Sequence, residues 1–177
     1  RAASPSRKTP VCDCIANSIA RFTDASSTLY LSHTRGMPRR FAAADIGSNT
    51  VHLLVGEITS RGTVRRVVNE SEWLSLGEIV SLEGKIPAAD CARLMETLRR
   101  YKRLAEENGA EQLYVFATEA VRVARNHDEL LASIRKTLGI RVDLISGQRE
   151  AELSLLGVAL DTHIHNSVLM IEVGGGS

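Results

Sequence analysis

Four short segments of the chain combine carboxylates, hydroxyls, glycines and an arginine, the groups that phosphoryl chemistry requires. Gly-rich turns let backbone N–H groups approach a phosphate, and the guanidinium fork of arginine matches phosphoryl oxygens. Carboxylates can hold Mg²⁺ or orient a water molecule. The set therefore predicts metal-assisted phosphoryl transfer to water. The segments are Asp45-Ile46-Gly47-Ser48-Asn49-Thr50, Thr118-Glu119-Ala120-Val121-Arg122, Ser146-Gly147-Gln148-Arg149-Glu150 and Glu172-Val173-Gly174-Gly175-Gly176-Ser177.

Each chemically active side chain in these segments has a candidate role. Asp45 and Glu172 are candidate ligands for Mg²⁺ or another divalent cation, and Arg122 offers a bidentate fork to phosphoryl oxygens. Glu150 is a carboxylate without an evident structural duty, able to orient or deprotonate a water. The candidate phosphate-binding residues are Gly47, Ser48, Asn49, Thr118, Gly174, Gly175, Gly176 and Ser177.

Each segment also has a simpler explanation. Gly47-Ser48-Asn49 suits an ordinary turn, and Thr118 and Ser146 suit helix caps. Arg122 and Glu150 could be solvated side chains in first turns, although an arginine at a helix N-terminus opposes the helix dipole. One shared site explains all four segments together, because ligand sites gather where strands of an open α/β sheet end.

The hydrophobic pattern predicts the elements that position these segments. A hairpin and a third strand come first, and helices then alternate with strands, so we expect an α/β domain with a mixed sheet of about five strands covered by helices. Asn126 with Glu129 suggests a capped helix start. The predicted strands are 42–46, 51–58, 64–71, 112–118, 141–146 and 167–173; the predicted helices are 87–107, 126–138 and 148–160; residues 77–84 are a predicted loop.

Composition limits the class of protein. Residues 1–40 carry a net charge of +5 and residues 41–177 a net charge of −4, which argues against broad nucleic-acid binding. No apolar run reaches the length of a membrane helix. Cys12, Cys14 and Cys91 give neither a zinc pattern nor a disulfide framework, so a cytoplasmic setting is expected.

The Ser- and Arg-rich segment 1–40 shows no sustained hydrophobic period, and we exclude it from the predicted fold. One interpretation is that the natural start lies near Met37 and that the preceding residues are vector-derived or upstream sequence. The other is an organelle-targeting peptide, although no cleavage signal is evident. The predicted domain therefore covers residues 41–177.

The strings DIGSNTVHLLV, FATEAVR, ISGQREAELSLLGV and IEVGGGS, in this order and spacing, resemble the exopolyphosphatase/guanosine pentaphosphate phosphatase family, especially its actinobacterial exopolyphosphatase-type members. The resemblance implies the actin-like ATPase superfamily and a two-lobed phosphatase whose lobes have ribonuclease-H-like folds, with this chain as the first lobe. It implies that Glu150 is the catalytic base. It also implies phosphoryl contacts from Ser48, Asn49, Arg122 and the Gly174–Ser177 loop, and metal ligation by Asp45 and Glu172.

Two departures from the family pattern stand out. Glu172 occupies a position where the family usually has Asp, which displaces the carboxylate by one methylene and affects Mg²⁺ geometry. The chain also ends at Ser177, before a Glu and a second lobe that the family pattern contains, which implies that the isolated chain is weak or inactive. Family members are often dimeric, so a homodimer of the full-length protein is a further expectation, with contacts outside this portion.

Several functions are compatible with these features. The first is release of orthophosphate from the end of inorganic polyphosphate by metal-assisted water attack. The second is hydrolysis of the 5′-terminal phosphate of guanosine pentaphosphate. A kinase-like or nucleotide-binding member of the superfamily is a third hypothesis, which the SGQREA segment disfavours. A non-catalytic phosphate- or nucleotide-binding fragment is the fourth, favoured by Glu172 and by the missing lobe.

Overall fold

The computed structural model describes residues 39–59 and 63–161, with side chains as far as residue 158. Five strands and five helices follow one another along this part of the chain, and they form one mixed sheet with helices against it. The elements are β1 (Arg39–Ile46), β2 (Thr50–Ile58), β3 (Val64–Trp73), α1 (Leu76–Glu83), α2 (Ala88–Glu107), β4 (Leu113–Ala117), α3 (Glu119–Val123), α4 (His127–Leu138), β5 (Val142–Leu144) and α5 (Gly147–Asp161).

The sheet has the strand order β3-β2-β1-β4-β5. β1, β2 and β3 form an antiparallel meander, whereas β1, β4 and β5 run parallel to one another. The parallel strands are joined through helices, as parallel connections require. Because β1, β4 and β5 point the same way, the loops that follow them lie at one edge of the sheet. The predicted α/β class and mixed sheet are confirmed.

One face of the central strands forms the core. Alternate residues of β1 and β2 are fully buried there, and α2 packs across them. The hydroxyl of Tyr101 on α2 donates a hydrogen bond to the backbone oxygen of Val51 at 2.8 Å, so this buried polar group has a partner. The periodicity of the sequence predicts Leu94, Leu98, Tyr101 and Leu104 on one apolar face of α2, and the first three are fully buried while Leu104 is partly buried against the core.

Two sequence-based boundaries are wrong. Residues 77–83 lie in a helix rather than a loop, because Leu76 and Val80 occupy successive turns of α1 and bury the same side of it, and Gly84 is its C-cap. Arg39 and Arg40 belong to β1 instead of lying outside the fold. β2 extends far enough to pair with both arginines, and their charges are met by Glu111 and Glu57 respectively. The remaining residues 1–38 lie outside the described part of the chain.

The start of α4 also differs from the prediction. Asn126 occupies the N-cap position, but its side chain makes no capping hydrogen bond there. Its amide group instead accepts from the backbone N–H of Ile86 at 3.0 Å and donates to the backbone oxygen of Ile86 at 2.8 Å. This long-range partner takes the place of the expected capping box. The five-residue helix α3 was not predicted, and the predicted strand 167–173 lies outside the described residues.

Candidate active site

The loop after β1 is a tight turn held in place by α1. The N–H of Gly47 donates to the oxygen of Thr50 at 3.0 Å, which closes the turn. The backbone oxygen of Ser48 accepts from the N–H of Gly77 at 2.7 Å, and a Cβ on Gly77 would lie only 2.8 Å from that of Ser48. The backbone oxygen of Asn49 accepts from two further N–H groups at the start of α1. The turn is therefore anchored through its carbonyl groups, and the N–H of Gly47 is already used.

The loop after β4 is fixed to β1 by Thr118. The backbone N–H and the hydroxyl of Thr118 both donate to the backbone oxygen of Ile46, each at 3.2 Å. Thr118 is 4% exposed and makes no side-chain cap on α3. Its observed bonds therefore join two strand ends, and its assignment to phosphate binding stays a prediction.

The loop after β5 leads directly into α5. The N–H of Ile145 donates to the oxygen of Ala117, which ties this loop to the end of β4. The Ser146 hydroxyl accepts from the N–H of Arg149 at 3.2 Å, and the Ser146 oxygen accepts from the N–H of Glu150 at 2.9 Å. The expected capping role of Ser146 is confirmed, and it places Glu150 in the first turn of α5.

Arg122 lies between the last two loops. Its Nη1 donates to the backbone oxygen of Ile145 at 2.7 Å, and its Nη2 donates to Glu119 Oε2 at 2.9 Å. Its side chain is 28% exposed, so it is neither a fully solvated group nor a buried one. Arg122 therefore contacts the β5–α5 loop directly. The expected conflict with the helix dipole is wrong, because α3 is so short that Arg122 lies in its last turn, where a positive charge is favoured.

Asp45, Thr118 and Glu150 line one open cleft of about 320 Å³ on the second face of the sheet. β1 and β2 form its floor, and the first turns of α5 form a wall. The cleft thus brings together residues from three of the four segments singled out in the sequence. Its other lining residues are Ala43, Ala44, His52, Leu54, Phe116, Ile145, Leu153 and Ser154.

His52 is a cleft residue that was not singled out in the sequence. It pairs directly with Asp45 across the β1–β2 ladder, so their Cβ atoms lie about 4.5–5.5 Å apart. The alternation of β2 contained the signal, because His52 is a polar residue between the buried Val51 and Leu53. Register could not be assigned without the turn geometry, and the pair was therefore missed.

The carboxyl groups of Glu57 and Glu111 have lowered pKa values, and both groups lie at the opposite end of β1 from the cleft. Hydrogen bonds from Arg65 and then Arg40 lower the pKa of Glu57. A hydrogen bond from Arg39 lowers the pKa of Glu111. These pairs secure the first residues of β1 to β2 and to the start of β4, so their charge pairing serves the fold.

Asp45 and Glu150 bring two carboxylates to the cleft, where they can orient a water molecule, whereas Gly47, Ser48, Asn49 and Arg122 are not among its lining residues. Within residues 39–59 and 63–161, His, Cys, Asp and Glu side chains form no group of three or more that could hold a metal ion. The helices of the same ranges include none with the length and apolarity needed to cross a membrane. Glu172, Gly174, Gly175, Gly176 and Ser177 lie outside the described residues.

The strand order and the parallel β1, β4 and β5 are those of the ribonuclease-H-like fold of the actin-like ATPase type. The model of the Ppx/GppA phosphatase family matches residues 54–177, well over half of the chain. The chain belongs to this family, and the resemblance drawn from the four sequence motifs is confirmed.

Curated relatives agree with this assignment. Exopolyphosphatase 1 of Mycobacterium tuberculosis is 32% identical over 139 residues, which cover 78% of this chain and 40% of the relative. Exopolyphosphatase 1 of Mycobacterium leprae is also 32% identical over 139 residues, which cover 41% of that relative. The chain therefore spans about two fifths of the length of these relatives.

Solved structures show the same fold. A crystal structure of the Aquifex aeolicus member of the Ppx/GppA family aligns with a TM-score of 0.66 at 30% identity, over 70% of this chain and 40% of that one. An exopolyphosphatase from Cytophaga hutchinsonii aligns with a TM-score of 0.61 at 32% identity, over 65% of this chain and 36% of that one. The ribonuclease-H-like fold predicted from the resemblance is confirmed.

Proposed function

We propose that this chain supplies the Glu150-bearing part of a hydrolase that releases orthophosphate from the end of inorganic polyphosphate. The observation behind the proposal is the cleft in which Asp45, Thr118 and Glu150 meet at the ends of parallel strands. Relatives named exopolyphosphatase support the choice of substrate. The chain spans about 40% of those relatives, so the activity of the whole protein is part of the proposal.

Glu150 is the general base in this mechanism. It is half-buried in the first turn of α5 and lines the cleft, so its carboxylate can accept the proton of a water molecule held there. That water attacks the terminal phosphorus, the bridging P–O bond breaks, and the shortened polyphosphate leaves with the electron pair. Because little covalent chemistry falls to the protein, positioning provides most of the acceleration.

The turn after β1 and Arg122 bind the terminal phosphoryl group. Ser48 and Asn49 provide backbone and side-chain donors, while Gly47 provides the tight turn rather than its N–H. Arginine has five N–H donors, and the bonds to Ile145 and Glu119 use two of them, so Arg122 retains donors for phosphoryl oxygens. We assign Gly174, Gly175, Gly176 and Ser177 to the same group, as the motif implies.

A divalent cation such as Mg²⁺ fits the donor set of the cleft. Asp45 is exposed at the end of β1 and lines the cleft with Glu150, so hard oxygen donors are available. Mg²⁺ commonly uses one or two carboxylates together with waters and substrate phosphates, and therefore does not require a protein cage. Asp45 would hold the ion, with Glu172 as the second candidate ligand. When bound, the ion neutralises charge on the phosphoryl oxygens.

The 5′-terminal phosphate of guanosine pentaphosphate is the alternative substrate. It presents the same kind of terminal phosphoanhydride to the cleft, and the name of the family covers phosphatases of both types. The remaining expectations about cellular location, nucleic-acid binding and dimerisation stay predictions.

Orthophosphate release from polyphosphate and from guanosine pentaphosphate, measured side by side with Mg²⁺ and with a chelator, tests the proposal. Glu150→Gln should reduce release at least a hundredfold, because general-base catalysis contributes about 10²–10⁴-fold. Glu152→Gln, the same change two residues later on α5 and outside the cleft lining, is the matched control. If the wild type releases orthophosphate and both variants retain its rate, the role of Glu150 is refuted. Binding of polyphosphate without turnover would instead favour the hypothesis of a non-catalytic fragment.

A further inference from the structure

Arg122 is the direct side-chain link between the loop after β4 and the loop after β5. The two terminal nitrogens of its guanidinium have different partners, the backbone oxygen of Ile145 at 2.7 Å and the carboxylate of Glu119 at 2.9 Å. The guanidinium is planar and rigid, so fixing one terminal nitrogen also sets the direction of the other. Glu119 therefore determines where Nη1 of Arg122 is aimed.

The residue that receives Nη1 lies immediately before α5. Ile145 is 8% exposed, and its N–H is bonded to the oxygen of Ala117 at 3.1 Å, so both of its backbone polar groups are tied to the β4 side of the sheet. Ser146 follows and accepts the N–H groups of Arg149 and Glu150. Because Ser146 alone separates Ile145 from α5, a displacement of Ile145 also displaces the first turn of α5.

Secondary structure alone provides little support for this region. β5 has only three residues and α3 only five, and both are shorter than the average for their type. A three-residue strand pairs with β4 at three positions only. The side-chain bridge therefore adds a second tie between the start of α5 and the end of β4, beside the backbone bond from Ile145 to Ala117.

We propose that Glu119 and Arg122 are positioning residues, which lock the loop after β4 to the loop after β5 and so keep Glu150 in place over the cleft. Glu119 had no assigned role, and Arg122 acquires a second role beside its proposed contact with phosphate. The inference rests on the proposed function, because the position of Glu150 matters to catalysis only if Glu150 acts in the cleft. The bridge itself exists without substrate, and it is therefore tested without substrate.

Amide hydrogen exchange of the ligand-free chain provides the test. In Arg122→Lys, an ammonium replaces the planar fork and cannot hold both partners in the same geometry. Exchange of the Ile145, Arg149 and Glu150 amides should then become about tenfold faster, the scale of a weakened hydrogen bond to a charged group, with α2 amides unchanged. Unaltered exchange at all three amides would overturn the bridge. Lysine retains the charge and the aliphatic stem, so the variant is expected to fold.

Glu119 is tested against a matched pair elsewhere on the surface. Glu119→Ala should accelerate the same three amides about two- to fivefold, since exposed ion pairs have small effects. Glu119→Gln retains an acceptor oxygen and should restore most of the protection. Glu96→Ala removes an exposed i,i+3 pair with Arg99 on α2 and should leave those amides unchanged. Equal exchange in Glu119→Ala and Glu96→Ala, or absence of rescue by Gln, would overturn the role of Glu119.

The hydrogen-exchange experiment and the activity assay can fail separately. If the wild-type chain neither binds nor hydrolyses polyphosphate, the function fails while the exchange data still decide the bridge. If polyphosphate is hydrolysed but exchange is unaffected by Arg122→Lys, the function stands and the positioning roles are refuted.

Discussion

Replacement of Gly77 by Ala tests whether the turn after β1 owes its position to α1. The N–H of Gly77 donates to the oxygen of Ser48 at 2.7 Å, and an added Cβ would lie 2.8 Å from the Cβ of Ser48. That separation is shorter than two carbon atoms tolerate. The Cβ of Ser48 is fixed to its own backbone, so the contact can be relieved only by moving α1 or the turn.

The expected loss follows from two opposing effects. Overpacking by one methyl group costs about 1–3 kcal/mol. Alanine recovers at most about 1 kcal/mol relative to glycine in a helix. With a middle value of about 2 kcal/mol for the overpacking and up to about 1 kcal/mol recovered, the free energy of unfolding should fall by about 1–2 kcal/mol, which lowers Tm by about 2–8 °C for a chain of this size.

The assay is thermal and urea unfolding of the wild type and of two glycine variants. Gly157→Ala in α5 is the matched control, because an added Cβ there meets no atom of the described residues within 4 Å. This control should gain up to about 1 kcal/mol from helix propensity. Exchange of the Leu74 and Ser75 amides, which donate to the oxygen of Asn49, and of the Gly47 amide should accelerate in Gly77→Ala only. If Gly77→Ala is as stable as Gly157→Ala, the close packing of α1 against the turn is refuted.

Two other predictions concern the fold around the site. Hydrogen bonds from Arg65 and Arg40 lower the pKa of Glu57, so its ionised carboxylate stabilises the fold above the unfolded pKa, and this stabilisation is lost as pH falls through the lower folded pKa. When urea unfolding is measured from pH 7 to pH 2, Glu57→Gln should therefore lose less free energy of unfolding on acidification than the wild type. Parallel pH dependences of the two proteins would contradict the pairing. Asn126→Ala removes both hydrogen bonds to the backbone of Ile86, so the free energy of unfolding measured in urea should fall by about 1–3 kcal/mol. A fall below about 0.5 kcal/mol would show that water replaces the amide.

Much of the fold follows from local patterns. The β1–β2 hairpin was predicted from two apolar runs around a polar turn, and α2 was predicted from its apolar stripe and the glycine that ends it. Gly109 indeed adopts a φ of +69°, the left-handed conformation expected just beyond a helix end. Such features depend on residues close together in the chain, so periodicity and turn chemistry are sufficient to find them.

The errors occur where distant residues decide the structure. The short helix α1 begins after Ser75, which has a left-handed conformation with φ 54° and makes no side-chain capping bond, unlike an ordinary helix start. Asn126 bonds to Ile86, forty residues earlier in the chain, so its local capping pattern was misleading. Arg40 joins β1 because Glu57 lies opposite it on β2, and a basic segment alone does not reveal that partner.

The candidate site shows the same division. Parallel β1, β4 and β5 were expected to end at one edge, and the cleft indeed contains Asp45, Thr118 and Glu150. What each side chain bonds to could not be predicted, since Thr118 and Arg122 use donors within the fold. That His52 lies opposite Asp45 could not be predicted either, because the register of β1 and β2 is set by the geometry of the folded hairpin.

A titration of the ¹⁵N-labelled chain with tripolyphosphate in the presence of Mg²⁺, followed through backbone amide shifts, tests most directly whether the cleft is a phosphoryl site. The largest shifts should fall on Ser48 and Asn49 and on the amides from Thr118 to Arg122 and from Ser146 to Glu150. They should weaken in Arg122→Ala. Shifts confined to α2, which carries the exposed Arg93, Arg99 and Arg103 and the partly exposed Arg100, or no saturable shifts at the ends of β1, β4 and β5, would contradict a phosphoryl site in the cleft.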